Sequence, residues 1–374
     1  MREGWTYKKL GEVCGIQYGF AFDSSFFCED DNYPQLIRIR DVVRGYSETH
    51  YKGAIPEGYY VENGDLLIGM DGEFNIAPWK SEKALLNQRV CKIYAADSTM
   101  LERFIYYQMQ IILKHIEDET PFVTVKHLSA KKLNSVEFPV PPLSEQQSIV
   151  SELDKINELI SLKKAQLSDL DSLAQSIFYD MFGDPITNEK GWEVKKLGDV
   201  CVFLQGEQVP VEEQSDIQLE GMVRFLRIID FTQGNEPPRY VFCKDKKHIL
   251  DSDEIAIVRY GSPGYVCYGK YGVIANNLFK IVPRNKEQFE FRYLVSWLMS
   301  DAFQSVVNGN QYGAALQAIK FGTIKDIPFI QPSLSLQQEF VKRIELIEQQ
   351  KAQISSTIKD LETLLASRMQ YWFD

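Results

Sequence analysis

Arginines, amides and carboxylates collect where the apolar stretches of this chain end. In the first half they are Tyr18, Arg38, Arg40, Asp71, Glu73, Asn75, Gln88, Arg89, Thr124 and Lys126. In the second half they are Gln205, Gln208, Arg227, Arg259, Tyr260, Ser262, Asn276, Asn277, Gln311, Tyr312, Gln317 and Lys320. Such groups suit the edges of base pairs. Arginine matches guanine, Asn or Gln matches adenine, a carboxylate takes the cytosine amino group, and lysine takes phosphate. The same groups can instead serve the fold. Arg38 and Arg227 occupy equivalent positions and can pair with Asp41 and Asp230. Tyr and Asn in loops often do no more than cap turns.

The elements that must position these groups occur twice. Residues 5–19 return as residues 192–206, with eight of fifteen positions identical. Pro141-Pro142-Leu143-Ser144-Glu145-Gln146-Gln147 returns as Pro332-Ser333-Leu334-Ser335-Leu336-Gln337-Gln338. A repeat this long is a whole domain plus a helix. Strands are expected around Leu10–Gln17, over Gln35–Asp41, in Leu66–Gly69 after the Asn63-Gly64 turn, and in Val90–Tyr94. Leu101–Ile116 has helical spacing, and Val136–Pro141 closes the half. The second half repeats this order with Phe225–Asp230, Asp253–Val258, Leu278–Val282 and a helix over Phe291–Met299. The fold class is α+β.

Each half ends in a long amphipathic run. Ile149, Leu153, Ile156, Ile160, Lys163, Leu167, Leu170, Ala174, Ile177 and Met181 recur at 4,3 spacing. Phe340, Ile344, Ile347, Lys351, Ile354, Ile358, Leu361, Leu365, Arg368 and Trp372 do the same. These are heptad seams, and the most economical partner for one is the other, packed antiparallel as an intramolecular coiled coil. Ser144 with Gln147, and Ser335 with Gln338, fit capping boxes. Gly183-Asp184-Pro185 stops the first helix. Lys163 and Lys351 either set register or snorkel at the bundle edge. The expected domains are 1–143 and 183–334, with helices 144–182 and 335–374.

Bond-making chemistry finds little support. A methyltransferase loop needs Asn/Asp-Pro-Pro-aromatic, and Glu236-Pro237-Pro238-Arg239 fails at both ends. Asp184 with Glu193-Val194-Lys195 has nuclease-like spacing, but Glu193 matches Thr6 in the other copy and Asp184 lies in a helix stop. No phosphate-binding Gly-x-x-x-x-Gly-Lys loop occurs. Histidines 50, 115, 127 and 248 lack ligand spacing and read as surface or loop residues. No catalytic, metal or cofactor-binding residue is assigned, and no cofactor is expected.

The chain has 374 residues and a net charge of −11, which disfavours a free-standing nonspecific DNA binder. The charge is unevenly spread. Residues 1–143 carry 16 Lys+Arg and 20 Asp+Glu; residues 183–334 carry 17 and 19; the run 144–182 carries 3 and 7. Both globular parts can therefore hold a local basic face, whereas the first helix cannot. Six scattered cysteines without Cys-x-x-Cys read as reduced thiols of a cytoplasmic protein. Cys14 and Cys201 are expected in the core. No membrane span is expected.

In combination these motifs resemble the specificity subunit of a type I restriction–modification system. The likeness rests on the doubled Trp-x-x-x-x-Leu-Gly-(Asp/Glu)-Val opening and the Gly64-Asp65-Leu66-Leu67-Ile68 strand. It rests also on the Pro-Pro-Leu-Ser-Glu-Gln-Gln helix start and the Met181-Phe182-Gly183-Asp184-Pro185 exit. The resemblance implies two target recognition domains joined by two antiparallel helices, with no catalysis of their own. It implies double-stranded DNA and two methyltransferase subunits as partners, with motor-nuclease subunits as an optional addition. Outer helix residues Glu152, Asn157, Glu158, Asp169 and Asp171 are the expected methyltransferase docking face. The competing reading is a coiled-coil scaffold that binds only proteins.

The seam from Ile149 to Met181 spans about 48 Å at roughly 1.5 Å per residue. On straight DNA lying parallel to it, that corresponds to about 14 base pairs at roughly 3.4 Å per pair. Helix length then acts as a ruler: a heptad added to both helices should lengthen the spacer and leave both half-sites unchanged. Methylome sequencing reads this directly, and altered half-site bases would contradict it.

Overall fold

The computed structural model describes residues 4–120, 126–232, 236–309 and 319–373. It divides into two compact units. One comprises residues 1–163 and 357–374, the other residues 164–356, so each long helix contributes to both.

In the first unit a two-stranded ribbon ties start to finish, with Thr6–Lys9 antiparallel to Glu137–Val140. A four-stranded antiparallel sheet follows in the order Cys14–Tyr18, Val90–Ala95, Leu66–Gly69, Asn75–Pro78. A five-stranded mixed sheet holds Gln35–Ile37 parallel to Ala84–Leu86. The helix Glu102–Glu119 buries Phe104, Ile105, Gln108 and Ile112, with Ile111 half-buried. Its core continues into Ile149 and Leu153 of the first long helix and Met369 of the second.

The second unit repeats the plan. Glu193–Lys196 pairs with Pro328–Gln331. The four-stranded sheet runs Cys201–Gln205, Leu278–Pro283, Ile255–Val258, Val266–Cys267. Met222–Leu226 lies parallel to Gly272–Ile274. The helix Phe291–Met299 buries Tyr293, Leu294 and Trp297. Asp65 and Glu254 explain the strand motif in both copies. Each carboxylate accepts a backbone N–H three residues upstream, from Glu62 at 2.7 Å and Asp251 at 2.9 Å. Each also pairs with a lysine of the central strand, Lys92 at 2.7 Å and Lys280 at 2.5 Å.

The expected Leu10–Gln17 strand is broken. Leu10–Val13 makes one helical turn, with Leu10 and Val13 buried, before the strand Cys14–Tyr18. Gln35–Asp41 is likewise only half strand. After Ile37 the chain turns into the helix Ile39–Arg44, because Asp41 accepts the Arg38 N–H at 2.8 Å and Gly45 closes the helix at φ +79°. Asp230 does the same for the helix Ile228–Thr232.

The long helices run Leu143–Phe182 and Leu334–Phe373, and Gly183, at φ +73°, ends the first. Within the first unit, Glu152 takes the guanidinium of Arg368 and the Trp372 indole N–H at 3.0 Å. Within the second, Asp171 meets Lys351 at 2.7 Å, while Phe178 and Phe182 pack on Phe340. In the second unit sequence numbers rise on one helix as they fall on the other, so the pairing there is antiparallel. Ile149, Leu153, Ile156, Ile160, Ile344, Ile347, Ile354 and Ile358 are buried, as the heptad spacing requires. No helix among the described residues is long and apolar enough to cross a membrane.

The expected capping boxes do not form. Both helices begin one residue earlier, with Pro142 and Ser333 carbonyls accepting the first helical N–H groups. The active residues of the motif are instead Gln146 and Gln337, both fully buried. Gln146 Oε1 accepts the Leu101 N–H at 2.9 Å, and its Nε2 donates to Thr99 O at 2.9 Å and Pro141 O at 3.0 Å. Gln337 accepts the Glu290 N–H at 2.9 Å and donates to Pro332 O at 2.9 Å. Leu101 and Glu290 are the N-caps of the two domain helices. Gln146→Ala strands a buried N–H and two carbonyls, and should cost about 1–3 kcal/mol. A lowered urea midpoint, with Gln147→Ala as the unaffected control, is the expected reading.

Candidate nucleic-acid interface

Strand direction gathers the candidate residues at one end of each four-stranded sheet. In the first unit Tyr18 pairs with Cys91, and Gly69 pairs with both Val90 and Asn75. The end of the first strand, the Met70–Asn75 loop and the Asn87–Arg89 turn therefore share one edge. Ile37 pairs with Leu86, which brings the start of the Ile39–Arg44 helix to the same place. In the second unit Gln205 pairs with Phe279 and Val258 with Leu278, gathering Gln205, Arg259–Ser262 and Asn276–Asn277.

Two glycines permit this close meeting of segments. A Cβ on Gly19 would lie 2.0 Å from Asn87 O, and one on Gly206 would lie 2.2 Å from Ala275 O. Equivalent hydrogen bonds lock both crossings: Gly19 N–H to Val90 O at 3.0 Å, and Gly206 N–H to Leu278 O at 2.9 Å.

Within the first unit, Arg38, Glu73, Gln88 and Arg89 have exposed side chains. Arg40 is exposed and stands 3.6 Å from Asp41. Asp71 binds His127 and lies 3.5 Å from Arg89. Tyr18 is half-buried and its hydroxyl accepts from Asn134 at 2.8 Å; burial raises its pKa. Asn75 donates to Glu73 O at 3.1 Å. Lys126 turns inward, donating to Glu117 O at 2.6 Å. Thr124 lies outside the described residues.

Within the second unit Gln208, Ser262 and Lys320 are exposed. Tyr260 donates to Asn276 Oδ1 at 3.2 Å, and Gln205 Nε2 donates to Asn276 O at 3.2 Å. Arg259 Nε donates to Ile319 O at 3.3 Å and its guanidinium lies over Phe321. The Asn277 Oδ1 is buried with no hydrogen-bond partner among the described residues. Gln311, Tyr312 and Gln317 lie outside the described residues.

The two equivalent arginines part company. Arg227 binds Asp230 at 3.1 Å and donates to Pro237 O at 3.0 Å, so it is structural. Arg38 makes no such ion pair; only its backbone N–H serves Asp41, and its guanidinium stays free among the described residues. The sequence treated them as equivalent, but Asp41 takes the Ser47 hydroxyl at 3.0 Å and lies 3.6 Å from Arg40 instead.

Of the five expected docking residues, three are engaged inside a unit. Glu152 holds Arg368, Asn157 donates to Tyr107 at 3.0 Å, and Asp171 holds Lys351. Glu158 and Asp169 are exposed. His50 is a further correction: it is buried in a strand opposite Cys28, not on the surface. Cys14, Cys91, Cys201 and Cys267 are buried free thiols, each with its pKa pushed up to about 12 by burial. Sequence reasoning missed His127, whose partner is 56 residues away.

Burial pushes the Asp230 pKa up, but hydrogen bonds from Arg227 and Arg224 outweigh this and hold it below the usual carboxylate value. The ionised form therefore stabilises the fold at all pH above the ordinary carboxylate range, and that contribution is lost as pH falls through the lowered value. Asp230→Asn should lower the melting temperature at pH 7, with the difference from the native chain closing below about pH 4. A gap that persists unchanged in acid would contradict the ionic account.

A family model described as the type I restriction modification DNA specificity domain matches residues 2–171 and again 189–363. The EcoBI specificity subunit of a type I restriction enzyme from Escherichia coli is 28% identical over 381 residues, covering 92% of this chain and 79% of that protein. The MjaIX specificity subunit from Methanocaldococcus jannaschii is 30% identical over 165 residues, 40% of this chain and 38% of its own. Two solved structures share the fold. A type I S subunit from M. genitalium has 14% identity and a TM-score of 0.51, covering 99% of this chain and 96% of that one. A chain solved for complex assembly and conformational transition of the type I R-M system has 18% identity and a TM-score of 0.57, with 100% and 98% coverage.

Proposed function

This chain belongs to the type I restriction–modification DNA specificity family, and we propose that each unit reads one half of a split, asymmetric DNA site through the polar end of its four-stranded sheet. The chain is the DNA-recognition subunit of such a system. The carrying observation is the convergence of exposed polar groups at equivalent places in two units of unlike side chains. Unlike groups on a shared scaffold call for unlike half-sites.

The subunit makes and breaks no bonds in this reading; modification belongs to the methyltransferase subunits it recruits. Two such subunits follow from the doubled sequence, since each copy offers the same kind of helix start. Exposed Glu158 and Asp169 supply part of the docking face, while Glu152, Asn157 and Asp171 keep the helices in shape behind it. A motor-nuclease subunit would join the same assembly for restriction.

The net charge of −11 repels phosphate, so the chain alone should bind DNA weakly. With its methyltransferase subunits present, a gel shift on randomised duplexes should show tight, salt-sensitive binding to one bipartite site. Equal binding to all sequences in the full complex would leave only a protein scaffold.

A further inference from the structure

Arg89 is one of two non-glycine residues described with positive φ, at +70°. A backbone held there is strained and persists only when its surroundings fix it. Here they do. Arg89 O accepts the Met70 N–H at 2.9 Å, Gln88 N–H donates to Phe20 O at 2.8 Å, and Val90 O accepts the Gly19 N–H at 3.0 Å. Two separate segments, Gly19–Phe20 and Met70, thus clamp the turn.

The side chain is fixed as well. Arg89 Nε lies 3.5 Å from Asp71 Oδ2, while the other oxygen of Asp71 is bound by His127 Nδ1. A carboxylate only accepts, so that ring nitrogen carries the proton. The Asp71 and His127 backbones are bridged to each other, and Leu128 N–H donates to Met70 O at 2.8 Å. The Arg89 side chain is 51% exposed, whereas that of Asp71 is 22% exposed. The carboxylate is the buttress and the guanidinium the presented group.

Resting on the recognition reading above, we propose that Arg89 reads a guanine in the half-site of the first unit, with Asp71 and His127 as its positioning residues. Two kinds of DNA acceptor compete for an exposed arginine. A phosphate gains from net positive charge, which Asp71 cancels at 3.5 Å. The O6 and N7 edge of guanine is neutral and rewards a rigid fork with two donors pointing outward. Nε faces Asp71 and Nη1 lies 3.2 Å from His127 Nδ1 and 3.4 Å from its Nε2, so the second N–H of Nη1 and the N–H groups of Nη2 are what remain for that fork. Asp71 also lies where it can accept from the N4 amino group of the paired cytosine. Its repeat equivalent in the second unit is Tyr260, and that of Arg89 is Asn277, so the guanine contact belongs to one half-site only.

The test is sequence selection from randomised duplexes by the full complex with its methyltransferase subunits. R89A should lose discrimination at a single G·C position of one half-site, by roughly 5- to 150-fold. R89K keeps the charge but not the fork and should lose the same position. D71N should weaken that position less, and leave the rest of the site intact. Retained selection of the other half-site by every variant shows that the chain is folded. A uniform loss of affinity for all sequences, with the salt slope reduced by about one, would make Arg89 a phosphate contact and overturn the proposal. So would unchanged selection by R89A in a complex that otherwise prefers a bipartite site, and then recognition stands while this assignment falls. A native complex without sequence preference removes both.

Discussion

One buried amide fixes where each globular half begins relative to its helix. Gln146 and Gln337 have no exposed surface, so their amide hydrogen bonds must be made within the protein. They are made to the N-cap of the domain helix and to the proline carbonyl just before the long helix. Three directions of chain are thereby tied at one point. A hydrophobic contact there could slide by a rotamer; a bidentate amide cannot without leaving a donor or acceptor unpaired. The ribbon strands, the domain helix and the seam all leave from this joint, so the placement of the sheet end follows from it.

At the far edge of the sheet a different constraint operates. Gly19 and Gly206 let one strand cross so near another that a methyl group would overlap a carbonyl oxygen. Both crossings are pinned by matching backbone bonds. Backbone contacts are indifferent to side chains, which explains how one scaffold carries Asp71 and Arg89 in one copy and Tyr260 and Asn277 in the other. Variation at the tips costs the fold little because the tips are not what holds it.

The features legible in the sequence are those with a period or a duplicate. The seams appear at 4,3 spacing, and the strands Leu66–Gly69 and Val90–Ala95 fall where the apolar runs sit. The Arg38–Asp41 segment misleads because Ile37, Arg38, Ile39 and Arg40 alternate like a strand. Asp41 overrides that alternation by binding the backbone locally and starting a helix. Gln146 and Gln147 are indistinguishable as letters, yet Gln146 stands three residues before Ile149 on the seam line and Gln147 does not. Glu152, Asn157 and Asp171 look outward on a single helix; the partner helix and domain supply Arg368 and Tyr107 to the half-buried first two, while Asp171 stays exposed as it pairs with Lys351. His127 could not be read, because nothing local ties it to Asp71.

Charge placement reconciles an acidic chain with an anionic target. Many of its acids are already committed: Asp65, Glu254, Glu152, Asp171 and Asp230 each hold a lysine or arginine within a unit. Those pairs cancel the cations they hold as well. Affinity from counterion release scales with the number of phosphates neutralised. In the reading proposed above, the chain contributes discrimination at a few base edges and leaves the bulk of phosphate binding to what it assembles with. Separating the two terms has a physical advantage: a recognition subunit with little nonspecific attraction is not held at wrong sequences, so base-edge contacts are left to set where an assembly stays.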